Sequence, residues 1–323
     1  MIENLRKKFP VFKKNPNLVF LDTAASALKV DNMINSVSEC YSYQYANIHR
    51  GIYSLSSKLT KRYEDSRLSV SKFINAPSPN NIIFNKSATE GINLVSSCLS
   101  DSYFEDGDEV LLTKLEHHSN LVPWHLVSKK IKIVSAELKP NGELDYNDLI
   151  EKINSKTKLI AITHMSNVTG SITNFEKIKL KAKKLNVPIL IDGCQFVPHK
   201  KLDIKELNPD FYVFSAHKLY GPSGLGVLYM KDYWIEKLGP YQGGGSMIKN
   251  VEIDSSTYLE GNHKFEAGTP PIAEVIGLSS SIDFINQVGI ENIYSYENEL
   301  TNYAYEKMKR NNDMKIYGDF NNQ

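Results

Sequence analysis

The stretch Phe211-Tyr212-Val213-Phe214-Ser215-Ala216-His217-Lys218-Leu219-Tyr220-Gly221-Pro222 passes from an unbroken apolar run into small, polar and basic residues, then into a Gly-Pro turn. A run that is apolar at every position is the pattern of a strand buried on both faces, as in a mostly parallel sheet covered by helices. Lys218 then stands at the carboxyl end of that strand, the edge where open α/β sheets bind ligands. Upstream, Pro188-Ile189-Leu190-Ile191-Asp192-Gly193-Cys194-Gln195 repeats the arrangement and delivers a carboxylate and an amide to the same edge.

Working outward, short apolar runs alternate with amphipathic stretches from about Ile82 onward, which predicts an α/β fold built on one large sheet. The strands are expected at Ile82 to Phe84, Glu109 to Thr113, Lys132 to Ser135, Leu159 to Thr163, Pro188 to Asp192, Phe211 to Phe214 and Gly226 to Met230. Seven strands result. Ile92, Val95 and Leu99 share one helical face within Thr89 to Leu99, as do Ile178, Ala182 and Leu185 within Phe175 to Leu185. Beyond Pro271 the pattern is helical over Ala273 to Val288 and Ile293 to Met308, and the last residues, from Ile316, read as the entry to a new strand and turn. The expected organisation is an N-terminal segment (1–20) packing with a small domain, a large domain (21–275), and connecting helices that begin an incomplete α+β C-terminal domain (276–323).

The bulk properties bound the function. A chain of 323 residues with 41% hydrophobic content buries a sizeable core. Lys plus Arg number 38 against 37 Asp plus Glu, so no basic field points to nucleic acid, and the expected partner is a small molecule. Cys40, Cys98 and Cys194 lie too far apart for a metal motif or a disulfide framework, which fits a reducing, cytoplasmic compartment. Charges interrupt the N-terminal stretch, and no segment approaches the ~20 apolar residues of a membrane span.

Several further runs carry chemistry. A lysine amine held partly away from water is a nucleophile for an aldehyde, and Asp192 one strand away is placed to keep a pyridinium nitrogen protonated. Together they predict pyridoxal 5′-phosphate held by Lys218 as a Schiff base. Its phosphate needs backbone N–H groups and hydroxyls at a helix start, and Ser87-Ala88-Thr89-Glu90 supplies them after the first strand, with Ser215 and His217 completing the cup. Ser87 and Glu90 also have capping-box spacing, which is compatible with that role. His117, in Glu116-His117-His118-Ser119, is an imidazole able to stack on the ring and shuttle protons. The adjacent His117 and His118 lack a third ligand of matching spacing, so no metal is expected. Gln195 offers a hydrogen bond to the ring oxygen, and Asn167 offers one to that oxygen or to a substrate carboxylate.

Taken together these runs resemble the SUF-type (group II) cysteine desulfurases, class V enzymes of the fold-type I pyridoxal-phosphate group. The resemblance extends from Phe20-Leu21-Asp22-Thr23-Ala24-Ala25-Ser26 and His49-Arg50-Gly51-Ile52-Tyr53 through Ser215-Ala216-His217-Lys218 to Gly243-Gly244-Gly245-Ser246 and Phe265-Glu266-Ala267-Gly268-Thr269-Pro270. It implies a transferase that converts L-cysteine, or L-selenocysteine, to alanine and passes sulfur as a persulfide toward iron–sulfur cluster assembly. By matching position, Lys218 and His117 are catalytic, Asp192, Gln195, Asn167, Ala88, Thr89, Ser215 and His217 hold the cofactor, and Thr269 completes the phosphate site of a second subunit. A homodimer and a SufE- or SufU-like sulfur acceptor follow from the same resemblance. Cys194 departs from it, standing where the family commonly has alanine. The family's sulfur-accepting cysteine and carboxylate-binding arginine are expected beyond Gln323, so the chain reads as C-terminally truncated. Selenocysteine lyase, class V aminotransferase and a non-catalytic cofactor-binding scaffold are the competing readings.

Overall fold

The structure is a computed structural model that describes residues 2–318. Near the amino end, α1 (Val11–Lys14) precedes α2 (Asp31–Glu39), which continues into a π-helical turn at Cys40–Gln44, and the long α3 (Ser54–Phe73). β1 (Ile82–Asn85) runs into α4 (Ala88–Ser102), followed by β2 (Glu109–Thr113), α5 (Val122–His125), β3 (Lys132–Ala136) and α6 (Tyr146–Lys152). Next come β4 (Thr157–Thr163), α7 (Glu176–Leu185), β5 (Ile189–Asp192), α8 (Ile204–Leu207), β6 (Phe211–Ser215), β7 (Gly226–Met230) and α9 (Asp232–Lys237). A small hairpin of β8 (Ile248–Val251) and β9 (Ser256–Tyr258) precedes α10 (Ile272–Val288) and α11 (Ile290–Met308).

The seven expected strands form one sheet in the order β1-β7-β6-β5-β4-β2-β3. Strands β3, β2, β4, β5 and β6 are parallel, and β7 is antiparallel to both β6 and β1. Each central strand feeds two cores, because successive side chains point to opposite faces. Ile160, Ile162, Ile189, Ile191, Tyr212 and Phe214 belong to one apolar cluster. Leu159, Ala161, Leu190, Phe211 and Val213 belong to the other, on the face covered by α4. Edge strand β3 is only partly buried.

Helix α10 is buried along most of its length, from Ile272 to Ile285, and packs against α2 and α3 in the first cluster. The boundary expected after residue 275 falls inside this helix. The N-terminal segment reaches the same core: the Phe9 ring meets the edges of Tyr220 and Phe284, at 5.9 and 6.0 Å. The hairpin β8–β9 went unread in the sequence because it is almost wholly exposed and shows no apolar alternation. The strand expected at the extreme end lies in part outside the described residues; Met314 to Tyr317 form no strand.

One ion pair ties three elements together. Arg67 of α3, only 1% exposed, makes a bidentate pair with Glu266, Nη1 to Oε1 at 2.7 Å and Nη2 to Oε2 at 2.9 Å. Arg67 also donates to the Ile82 carbonyl, and Glu266 accepts the Phe84 N–H at 2.7 Å, so both partners grip β1. Removing one member of such a buried pair strands the other charge. Arg67→Met is expected to lower the unfolding free energy by roughly 3–5 kcal/mol, measured by urea denaturation; a loss below about 1 kcal/mol, the scale of an exposed pair, would contradict this account.

Candidate active site

Parallel pairing brings the carboxyl ends of β4, β5 and β6 side by side, with Thr163 opposite Asp192 and Asp192 opposite Val213. At this edge lies a cavity of about 520 Å³, lined by Thr163, Asp192, Cys194, Gln195, Ser215, His217 and Lys218, together with Ala88, Thr89, His117 and Asn167. Every expected site residue except Thr269 thus meets in one place. Thr269 is exposed, in the loop before α10, and does not line this cavity.

Each residue is held by its own local structure. Lys218 ends a single 3-10 turn, Ala216–Lys218, closed by the N–H groups of Leu219 and Gly221 on the Ala216 carbonyl. Tyr220 takes φ +56°, a left-handed conformation that costs a non-glycine residue about 1 kcal/mol. Its ring, packed by Phe9 and Phe284, holds the turn in that shape. Asp192 is 4% exposed and accepts the Cys194 N–H at 3.0 Å, turning the chain sharply after β5. That turn requires Gly193, since a Cβ there would sit 2.1 Å from the Tyr212 ring. Tyr212 in turn hydrogen-bonds Nδ1 of His164, which is stacked on Phe196 behind the site.

On the opposite wall α4 begins. Ser87 caps it, accepting the Glu90 N–H, and the Ala88 N–H donates to Ser215 Oγ at 2.8 Å. Ala88 therefore reaches the cup by fixing Ser215, whose own hydroxyl hydrogen stays available to a ligand. Gly226 lets β7 approach this helix start: a Cβ there would lie 2.3 Å from Asn85 Oδ1 and from the Ser87 carbonyl carbon. His117 caps the next turn, its Nδ1 accepting the Ser119 N–H at 3.1 Å. An acceptor at Nδ1 leaves the proton of the neutral ring on Nε2. Burial and then the Lys218 charge hold the His117 pKa below its ordinary value, and the same two causes act on His217, with Lys29 adding to them.

Some features of the site were not read in the sequence. Asp22, Ala24 and Ala25 line the cavity, and Gln195 spends one amide N–H on the Ala24 carbonyl at 2.8 Å. The small residues of Leu21-Asp22-Thr23-Ala24-Ala25-Ser26 were the available signal. Glu116 was also missed. Its carboxyl accepts from Thr113 Oγ1 and Asn120 Nδ2, both at 2.7 Å, and from the Thr163 N–H. Burial outweighs those donors, with the Asp192 charge adding to it, and pushes Glu116 up to about 8.

The cysteines divide plainly. Cys40 and Cys98 are buried away from the cavity, and burial pushes the Cys98 thiol up to about 12. Cys194 lines the cavity, where burial and then Asp192 raise its thiol well above the usual range. A thiol so held stays protonated and is a poor nucleophile. Among the described residues no group of three or more His, Cys, Asp or Glu is arranged to hold a metal ion.

A lysine and a buried aspartate at the carboxyl edge of this seven-stranded sheet, facing a capped helix start, define a fold-type I pyridoxal-phosphate enzyme. Comparison with known proteins makes the class specific. The chain belongs to the class-V aminotransferase family, whose pattern matches residues 19–323. It is 42% identical over 323 residues to a cysteine desulfurase of Serratia proteamaculans, covering 98% of this chain and 80% of that protein. With a cysteine desulfurase of Escherichia coli the identity is 38% over 326 residues, covering 99% and 80%. Solved structures agree. A cysteine desulfurase from Thermococcus onnurineus superposes with TM-score 0.93 at 33% identity, over 99% of this chain and 79% of that one. An E. coli cysteine desulfurase in its S-sulfonic acid form gives 0.88 at 35%, over 96% and 77%.

The donor set suits this family's cofactor. An amine, a buried carboxylate, a side-chain amide and a ring surround one cavity, and the N-terminus of a 15-residue helix with nearby hydroxyls faces it as a phosphate cradle. Glu116 supplies a pH test of the same region. A carboxyl raised from about 4.3 when unfolded to about 8 when folded keeps its proton in the native state while the unfolded chain has released it. Its contribution to stability therefore falls as pH rises across that window. Glu116→Gln is expected to flatten the fall in melting temperature between about pH 5 and 8, and an unchanged slope would place the titrating group elsewhere.

Proposed function

We propose that this chain is a pyridoxal-phosphate-dependent cysteine desulfurase, taking L-cysteine to L-alanine and handing the sulfur to an acceptor. The observation that carries it is the meeting of Lys218, Asp192 and the start of α4 in one cavity, in a chain 38–42% identical to enzymes of that name. Bound pyridoxal 5′-phosphate supplies an electron sink that makes bonds at the substrate's α- and β-carbons labile.

The chain's own residues are assigned as follows. Lys218 would attach the cofactor, and its free amine would carry protons to and from the substrate's α-carbon. Asp192, buried at the strand end, would hold a proton on the pyridine nitrogen. Gln195 retains a second N–H for the ring oxygen, beside Asn167. Thr89, Ser215 and His217 bind phosphate, with Ala88 fixing Ser215. His117 would stack on the ring and, with its Nδ1 accepting the Ser119 N–H, present Nε2 to exchange a proton with the substrate. Thr269, exposed and outside its own cavity, serves the neighbouring site of a homodimer. A SufE- or SufU-like protein is the assigned acceptor, and the compartment is the cytoplasm. Among the described residues no helix is long and apolar enough to cross a membrane.

Because Cys40 and Cys98 lie away from the cavity and the Cys194 thiol is held protonated, this chain with L-cysteine and a thiol reductant is expected to form little alanine and sulfide, and rapid release of both in equal amounts would overturn that expectation. Accumulation of the amine form with a keto acid would instead indicate an aminotransferase, and turnover of L-selenocysteine alone a lyase for that substrate. Borohydride reduction should fix the label on Lys218; a label on any other lysine would overturn the assignment. His117→Gln is expected to slow alanine formation roughly 10²–10⁴-fold while the lysine-bound absorbance band remains.

A further inference from the structure

The segment Asp22–Lys29 crosses the cavity mouth as a strap. It turns on itself through the N–H groups of Ala25 and Ser26 on the Asp22 carbonyl, and Gln195 holds its Ala24 carbonyl. Its far end is anchored by Val30, wholly buried in the core. Between these points three donors converge on one acceptor, the carbonyl of His217. The Ala27 N–H reaches it at 3.0 Å, Lys29 Nζ at 2.9 Å and Ser26 Oγ at 3.4 Å, while Ser26 Oγ also meets His217 Nδ1 at 3.2 Å.

That carbonyl belongs to the peptide unit joining His217 to Lys218. Of its three donors only Lys29 is charged, and a charge-assisted hydrogen bond is about twice as strong as a neutral one. Lys29 is half-buried, and burial lowers its pKa to about 8. It does not line the cavity. An ammonium moved partly out of water without reaching the ligand is retained at a cost, and the contact the structure gives it is the His217 carbonyl.

We propose that Lys29 is a positioning residue for Lys218: its ammonium locks the His217–Lys218 peptide, and so sets the direction from which the Lys218 amine enters the cavity. The proposal rests on the assignment of Lys218 as the cofactor-bearing lysine. The turn is otherwise held from its other end, by the Ala216 carbonyl and the packed ring of left-handed Tyr220. Loss of Lys29 leaves the end that carries the amine on the two neutral donors of Ala27 and Ser26. Because Lys29 lies outside the cavity lining, the effect falls on cofactor attachment and on the chemical step rather than on substrate affinity.

The test compares wild type, Lys29→Met and Lys29→Arg as holoenzymes, after confirming by melting temperature and circular dichroism that each is folded. Lys29→Met is expected to release pyridoxal phosphate about tenfold faster, the loss of one charge-assisted hydrogen bond. It should also show a lower kcat with KM for L-cysteine near the wild-type value. Lys29→Arg, which keeps a cationic donor, should restore most of the retention. If Lys29→Met folds poorly, Lys29→Gln, a shorter neutral donor, replaces it in the same comparison. Cofactor release and kcat unchanged in a folded Lys29→Met, or a change in melting temperature alone, overturns the proposal. Borohydride labelling of the wild type separates the two readings: a label at Lys218 with no effect of Lys29 removes only the positioning role, whereas a label elsewhere removes the assignment beneath it.

Discussion

Parallel pairing of β4, β5 and β6 is the constraint on which the site depends. Because the strands run the same way, their carboxyl ends arrive together, and the loops leaving Thr163, Asp192 and Ser215 share one edge of the sheet. Such strands are stable only when both faces are covered. Their alternating side chains are therefore divided between two apolar clusters, and the polar residues are left at the ends. Asp192 is buried through its place in this edge, so its carboxyl is held at the floor of the cavity and not in solvent.

Around that edge the chain works against small local costs. Tyr220 is held left-handed, Gly193 and Gly226 allow backbone approaches that a Cβ would forbid, and Glu116 is kept in surroundings that favour its proton. Each is sustained by packing from elements remote in sequence. Phe9 and Phe284 pack on Tyr220, and Tyr212 fills the space beside Gly193. Arg67 and Glu266 clamp β1, the strand that leads into the start of α4. Functional sites commonly store strain in this manner, with the surrounding core supplying the compensation.

The features that escaped a sequence-level reading have a common cause. Residues 22–29 carry no periodicity and almost no bulk, so their place over the cavity shows only when Gln195 and His217 are seen to hold them. Glu116 stands beside His117 in the sequence, yet its raised pKa depends on burial and on Asp192, a residue of another strand. Helix α10 is a related case. Helix α10 is apolar nearly all round, and only its contacts with α2 and α3 show that it is a core helix and not a connector.

The sequence by itself determined the seven strands of the large sheet, the α/β class and those site residues that stand at strand ends, because buried parallel strands write themselves as short apolar runs and the reactive residues follow directly at their ends. Local pattern carries that information in full. Tertiary structure alone decided what each residue's neighbours are: that Ser215 takes the Ala88 N–H, that Gln195 and His217 hold the strap, and that Thr269 stays outside its own cavity. Those facts rest on contacts between segments far apart in the chain, and hydrogen-bond partners and burial at such distances leave no periodic trace in the order of amino acids.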